Sequence, residues 1–81
     1  MKRKPKRVRY RDDNFLLELG ERIREMRIKK GLSQTELAFL CNDKDYSQIN
    51  RMELGKVNFS VSHLLLISKA LQVKTKDLLP D

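Results

Sequence analysis

Six consecutive residues, Leu32-Ser33-Gln34-Thr35-Glu36-Leu37, hold a complete local instruction for starting a helix. Ser33 and Glu36 stand at the S-x-x-E spacing that lets each side chain bond the other's backbone N–H, and Leu32 and Leu37 are placed to close an apolar staple around them. The preceding helix must end just before this point, with Gly31 in the left-handed position after its last turn. That first helix is read from Asn14 to Lys30, where Phe15, Leu16, Leu19, Ile23 and Met26 recur at three- and four-residue steps. Asp12, Asp13 and Asn14 suit its start, and Lys29 and Lys30 its end.

The rest of the chain continues in short helical pieces. The second helix runs to about Cys41, and a polar turn, Asn42-Asp43-Lys44, follows. Asp45 then opens a third helix, with Gln48 in the capping-box position, and this helix ends at Leu54-Gly55. Phe59-Ser60 caps a fourth helix that continues through Leu71, with Phe59 and Leu64 as a second staple. A last short helix covers Thr75 to Leu79 and stops before Pro80. The reading is an all-α domain of five helices, and 81 residues leave room for one domain only. Two short helices joined by a tight turn and framed by longer apolar helices make a helix-turn-helix candidate.

Charge divides the chain unevenly. Residues 1–11 carry Lys2, Arg3, Lys4, Lys6, Arg7, Arg9 and Arg11 and no acid, whereas the other 70 residues balance 11 basic against 11 acidic side chains. The whole formal charge of +7 therefore belongs to the leading segment. Like charges, Pro5 and little to bury make residues 1–12 a flexible basic arm, and residues 13–81 the folded domain. Such arms are drawn to polyanions, chiefly nucleic acid, although a basic run also serves as a solubilising tail or a targeting signal. The arm has no apolar stripe to lie on a membrane, and no apolar run is long enough to span one. With no signal-peptide pattern either, the expected location is the cytoplasm, at the nucleoid.

The third helix sharpens the nucleic-acid reading. At 100° per residue, Asp45, Ile49, Met52 and Glu53 share an inner side, while Ser47, Asn50, Arg51 and Leu54 face out, flanked by Tyr46 and Gln48. The outer face has no acid. Its Arg, amides, hydroxyl and phenol match the hydrogen-bonding edges that bases present in the major groove. No nucleophile motif, phosphate-binding glycine loop or paired acids point to catalysis, so no enzyme and no cofactor is expected. Cys41 and His63 are too few for a metal site; Cys41 reads as a small core hydrophobe and His63 as partly exposed, without a ligand role.

Three blocks then resemble the phage repressor/Cro helix-turn-helix family, the xenobiotic-response-element type. They are G-L-S-Q-x-E-L-A at Gly31 to Ala38, I-x-R-x-E-x-G-K at Ile49 to Lys56, and L-L-x-I-x-K-A-L at Leu64 to Leu71, within a likeness spanning residues 16–79. The resemblance implies a homodimeric, sequence-specific regulator of transcription, chiefly a repressor, that places its third helix in the major groove of an inverted repeat. It assigns base contacts to Tyr46, Ser47, Gln48, Asn50 and Arg51. Phosphate contacts fall to Gln34, which would also brace the recognition helix, and to Lys44, Lys56 and Asn58, with the arm cations adding their own. An internal ion pair maps to Arg27 and Glu53. The family also includes antitoxins that bind a toxin and controllers of restriction–modification genes, and both roles stay open, as does an architectural binder relying on the arm.

This chain departs from the family pattern at several points. From Leu37 to Lys56 it is one residue longer, the extra residue falls in Asn42-Asp43-Lys44, and the usual Gly and following apolar residue are missing there. The register of the base contacts is therefore open by one residue. Phe39 and Leu40 replace charged residues, and Leu66 replaces a common lysine. Apolar groups there mark a partner or dimer surface, to which Leu78 and Leu79 are added. Lys74 replaces the small polar cap before the last helix, which is therefore expected to fray.

Overall fold

A computed structural model describes residues 10–81. Four α-helices follow one another: α1 (Asp13–Lys29), α2 (Gln34–Leu40), α3 (Ser47–Glu53) and α4 (Val61–Leu71). The fifth helix expected at Thr75 to Leu79 is instead a one-turn 3-10 segment, Thr75–Asp77, and no strand occurs among the described residues. Three residues before Leu78 and Pro80 are too few to establish an i to i+4 ladder; the N–H groups of Asp77 and Leu78 bond three residues back instead. The segment is nevertheless held. Lys74 N–H donates to Asp77 Oδ2 at 3.3 Å, Ser68 and Thr75 share a hydroxyl hydrogen bond of 2.9 Å, and Leu78 is fully buried. Leu78 thus belongs to the core and not to the partner surface expected of it.

Local chemistry accounts for three helix starts. Asp12 caps α1 by accepting from Phe15 N–H at 3.0 Å, and Ser60 caps α4 by accepting from His63 N–H at 3.1 Å. At α2 both halves of the capping box form, with Glu36 N–H on Ser33 Oγ at 3.0 Å and Ser33 N–H on Glu36 Oε1 at 2.8 Å. The bonds that Glu36 accepts from Ser33 hold its carboxyl below the usual glutamate range. Helix α3 differs. It starts at Ser47, one residue later than an Asp45 cap would place it, behind a Tyr46 that offers no side-chain cap, and Gln48 closes no capping box. Asp45 lies before the helix, in a turn where its carboxylate accepts from Ser47 N–H at 2.8 Å; that bond lowers its pKa.

All four helices end alike, in a left-handed residue that returns two N–H groups to the last turn. Gly31, Asn42, Gly55 and Gln72 take these places, with φ of 74°, 61°, 72° and 59°. Asn42 does the work of the glycine missing from the turn between α2 and α3: Asn42 N–H bonds Phe39 O and Asp43 N–H bonds Ala38 O. Asparagine tolerates this conformation better than other non-glycine residues, so α2 stops at Leu40.

One core gathers all the elements. Leu19 and Ile23 of α1, Leu37 and Ala38 of α2, Ile49 and Met52 of α3, and Leu64, Ile67 and Leu71 of α4 pack together with Cys41 and Leu78. Burial pushes the Cys41 thiol up, with the Asp43 carboxylate adding to the shift. The α1–α3 crossing is close enough to require Gly20, where a Cβ would sit 2.4 Å from Met52 O. Gly55 is constrained twice, by its positive φ and by Leu17 Cα, 2.9 Å from where a Cβ would lie.

Candidate nucleic-acid interface

Helix α3 is clamped from behind. Ile49 and Met52 are wholly buried and Glu53 nearly so, which leaves Ser47 and Arg51 exposed and Gln48 and Asn50 half-buried on the outer side. Tyr46, just before the helix, is 51% exposed. Leu54, which also faces out, is 49% exposed, an apolar group beside the polar ones.

Glu53 anchors the back of the helix through a polar network. Arg27 of α1 donates from Nε to Glu53 Oε2 at 2.6 Å and from Nη2 to Oε1 at 3.1 Å, while its Nη1 donates to Leu32 O at 2.9 Å. The side chains of the pair keep only 11% and 2% of their exposure. A buried carboxylate needs such a forked partner, because desolvating an unpaired charge is costly. Gln34 of α2 completes the network: its Nε2 donates to Glu53 Oε1 at 3.0 Å and its Oε1 accepts from Asn50 Nδ2 at 3.4 Å. Three helices are thus tied at one carboxylate. The side-chain amide of Gln34 is turned inward, toward α3, and Asn50 has one donor in the same network.

Three of the cations named from the sequence lie on this helix or in the turns that flank it. Lys44 is exposed in the turn before it, Arg51 on it and Lys56 after it. Arg11, Gln48, Lys56, Val57 and Asn58 line one groove beside α3. Arg11 and Asn58, however, are already engaged within the protein. Asn58 Nδ2 donates to Tyr10 O at 2.8 Å; Arg11 Nη2 donates to Gly55 O at 3.2 Å and its Nε to Asp13 Oδ1 at 2.7 Å. Residues 10–12, assigned to the flexible arm from its like charges, its proline and how little it has to bury, are therefore joined to the domain. Lys2, Arg3, Lys4, Lys6, Arg7 and Arg9 lie outside the described residues.

Two apolar surfaces remain exposed. On one, Phe39 (78%), Leu40 (50%) and Leu66 (37%) adjoin Leu32 and Ala70, with Lys30 and Lys69 alongside. On the other, Tyr10, Phe15, Phe59, Val61 and Leu79 line a groove between α1 and α4. Sequence reading found Leu79 of the second surface but not Phe15 or Val61. It also missed Gly20, whose signal was a lone glycine inside a helical pattern. Among the described residues, no three metal-binding side chains come together and no helix is long and apolar enough to cross a membrane.

Known proteins share this arrangement. Residues 23–78 match the helix-turn-helix family HTH_3. Control protein C.BamHI of Bacillus amyloliquefaciens is 41% identical over 68 residues, which cover 83% of each chain. The crystal structure of the restriction-modification controller protein C.AhdI from Aeromonas hydrophila superposes with a TM-score of 0.76 at 38% identity, covering 80% of this chain and 93% of that one. Wild-type controller protein C.Esp1396I gives 0.74 at 28% identity, over 83% of this chain and 87% of that one. With a clamped third helix, a polar outer face and these relatives, the chain belongs to the helix-turn-helix family and is a DNA-binding transcription regulator of the Cro/C1 type.

Proposed function

We propose that this regulator is a controller of restriction–modification genes, binding an inverted repeat as a homodimer with α3 in the major groove. The observation that carries the reading is the likeness to C.BamHI over 83% of both chains. Tyr46, Ser47, Gln48, Asn50 and Arg51 meet base edges, with Arg51, exposed and bearing a fork of donors, suited to guanine. Lys44, Lys56 and the arm cations neutralise phosphates, and Gln34 holds Asn50 and Glu53 in place. A protein so bound represses where its site overlaps a promoter, acts in the cytoplasm at the nucleoid, and has no catalytic role.

The α1–α4 groove is the better dimer face. A two-fold contact sets a surface against its own copy, and on the Phe39–Leu40–Leu66 surface that would bring three charged groups, Lys30, Lys69 and Glu36, into the contact. Among the described residues, the groove lined by Phe15, Val61 and Leu79 brings only Asp12 as a charged group. A second reading concerns the surface left over: Phe39 at 78% exposure favours a protein partner there, a toxin among the candidates. Selection of duplexes from a random pool at about 0.15 M salt tests the main reading. An enriched inverted repeat supports it, and half-sites one or more helical turns apart would give the dimer geometry; binding without enrichment would refute specific control. Sedimentation then separates the faces, since Val61→Asp should yield monomer and Phe39→Asp should leave the dimer intact.

A further inference from the structure

Tyr10 and Arg11 do not lead away from the start of α1; they are drawn back across the domain to the loop after α3. Two hydrogen bonds do this, Asn58 Nδ2 to Tyr10 O and Arg11 Nη2 to Gly55 O, joining residues 48 and 44 positions apart in sequence. We infer that Asn58 and Arg11 form a clasp that delivers the basic segment, residues 2–9, to the DNA flank beside α3, and that Asn58 acts through this clasp and not by touching phosphate. The inference rests on α3 being the recognition helix.

The physical case has three parts. First, the side chains expected to reach phosphate are oriented inward by partners within the protein: one N–H of the Asn58 amide on a main-chain carbonyl at 2.8 Å, and two of the Arg11 guanidinium's donors on Gly55 O and the Asp13 carboxylate. Second, both bonds grip the chain where the basic segment joins the domain. Arg11 lines the same groove as Gln48, Lys56 and Asn58, so the point of attachment lies next to α3. Third, the six cations of residues 2–9 are tethered by a short chain. Eight residues reach at most about 28 Å when fully extended, so the attachment point decides which phosphates they can meet, and tethering near the target raises their effective concentration there.

A double-mutant cycle tests this with the full chain, Asn58→Ala, the deletion of residues 2–9, and the two combined. Each is titrated against the duplex selected by the full chain, over a range of salt, and footprinted with hydroxyl radicals. Asn58→Ala should weaken binding about three- to tenfold, the worth of an exposed hydrogen bond, and shorten protection on the flank. In the deletion background the same substitution should change nothing, because there is no arm left to place. Arg11→Gln should repeat the pattern, and thermal melts of each protein identify any variant that is merely unfolded. Equal losses in both backgrounds would show a direct contact by Asn58 and overturn the clasp, as would no loss in either. If the full chain selected no duplex at all, the α3 reading would fall, and the clasp with it.

Discussion

Helices α2 and α3 are each 7 residues long and stand side by side, yet they exist for opposite reasons. Helix α2 is specified by its own sequence: Ser33 and Glu36 satisfy each other's backbone, and Leu32 and Leu37 flank them. Helix α3 has no side-chain cap at Tyr46, and its start depends on an Asp45 turn that lies outside it. What holds α3 is remote. Ile49 and Met52 are buried to 0% exposure, Gly20 admits its carbonyls, and Arg27 reaches from 26 residues away to Glu53. A helix this short is unstable alone in water whatever its caps. The comparison teaches that the element reading DNA is placed by the rest of the domain, which leaves its outer residues free to match a target instead of stabilising a helix.

The contrast breaks most severely at Glu53. Glu53→Ala should destabilise the domain by about 3–5 kcal/mol, because it leaves the Arg27 guanidinium buried and unpaired; urea unfolding would measure it. Against a total of about 5–15 kcal/mol that loss is large, and DNA binding should fail with it. A change below about 1 kcal/mol would mean that packing alone seats α3.

Arg51→Ala separates the outer face from the inner one. It should leave the melting temperature unchanged while costing about 1–3 kcal/mol of discrimination at one base pair, read by titrating single-substituted operators. A uniform loss on every sequence would reassign Arg51 to phosphate. Removal of the α2 cap comes next. Ser33→Ala should cost about 1 kcal/mol in chemical denaturation, less than the loss at Glu53, with base preference untouched because Gln34 still bonds Glu53 and Asn50.

The smallest effect is in acid. The carboxyl of Glu36 is held below its unfolded value of about 4.3 by the Ser33 bonds, so the stability it contributes is complete above that pH and is lost as pH falls through the lower folded pKa. Glu36→Gln should therefore lower stability slightly at pH 7 and flatten its fall in acid, because the amide has no proton to gain. An unaltered acid profile would show that Glu36 contributes no proton linkage to α2.

Much of this was legible in the chain. The face of α1, the capping box, the inner Ile49–Met52 pair and the glycine ends follow from spacing, since short-range stereochemistry governs them. The errors share one cause. The α3 start was misplaced because Asp45 fits a cap by residue type, and whether it caps depends on the backbone path after Asn42. Leu78 was assigned to the surface because a five-residue terminal piece has no periodicity to show which way it faces; packing buries it completely. The bonds of Asn58 and Arg11 to the main chain were not legible either, because a polar side chain does not declare its partner, and theirs are 48 and 44 residues distant.

The sequence by itself determined where α1, α2 and α4 begin and end, which stripe of each is apolar, and the confinement of net positive charge to residues 1–11. These are properties of neighbours a few residues apart, and one turn of backbone suffices to express them. Only the tertiary structure decided how α3 is clamped, which exposed apolar groups gather into one surface, and where the chain preceding α1 is held. Those outcomes turn on side chains brought together from distant parts of the chain, and burial of the core is what brings them there.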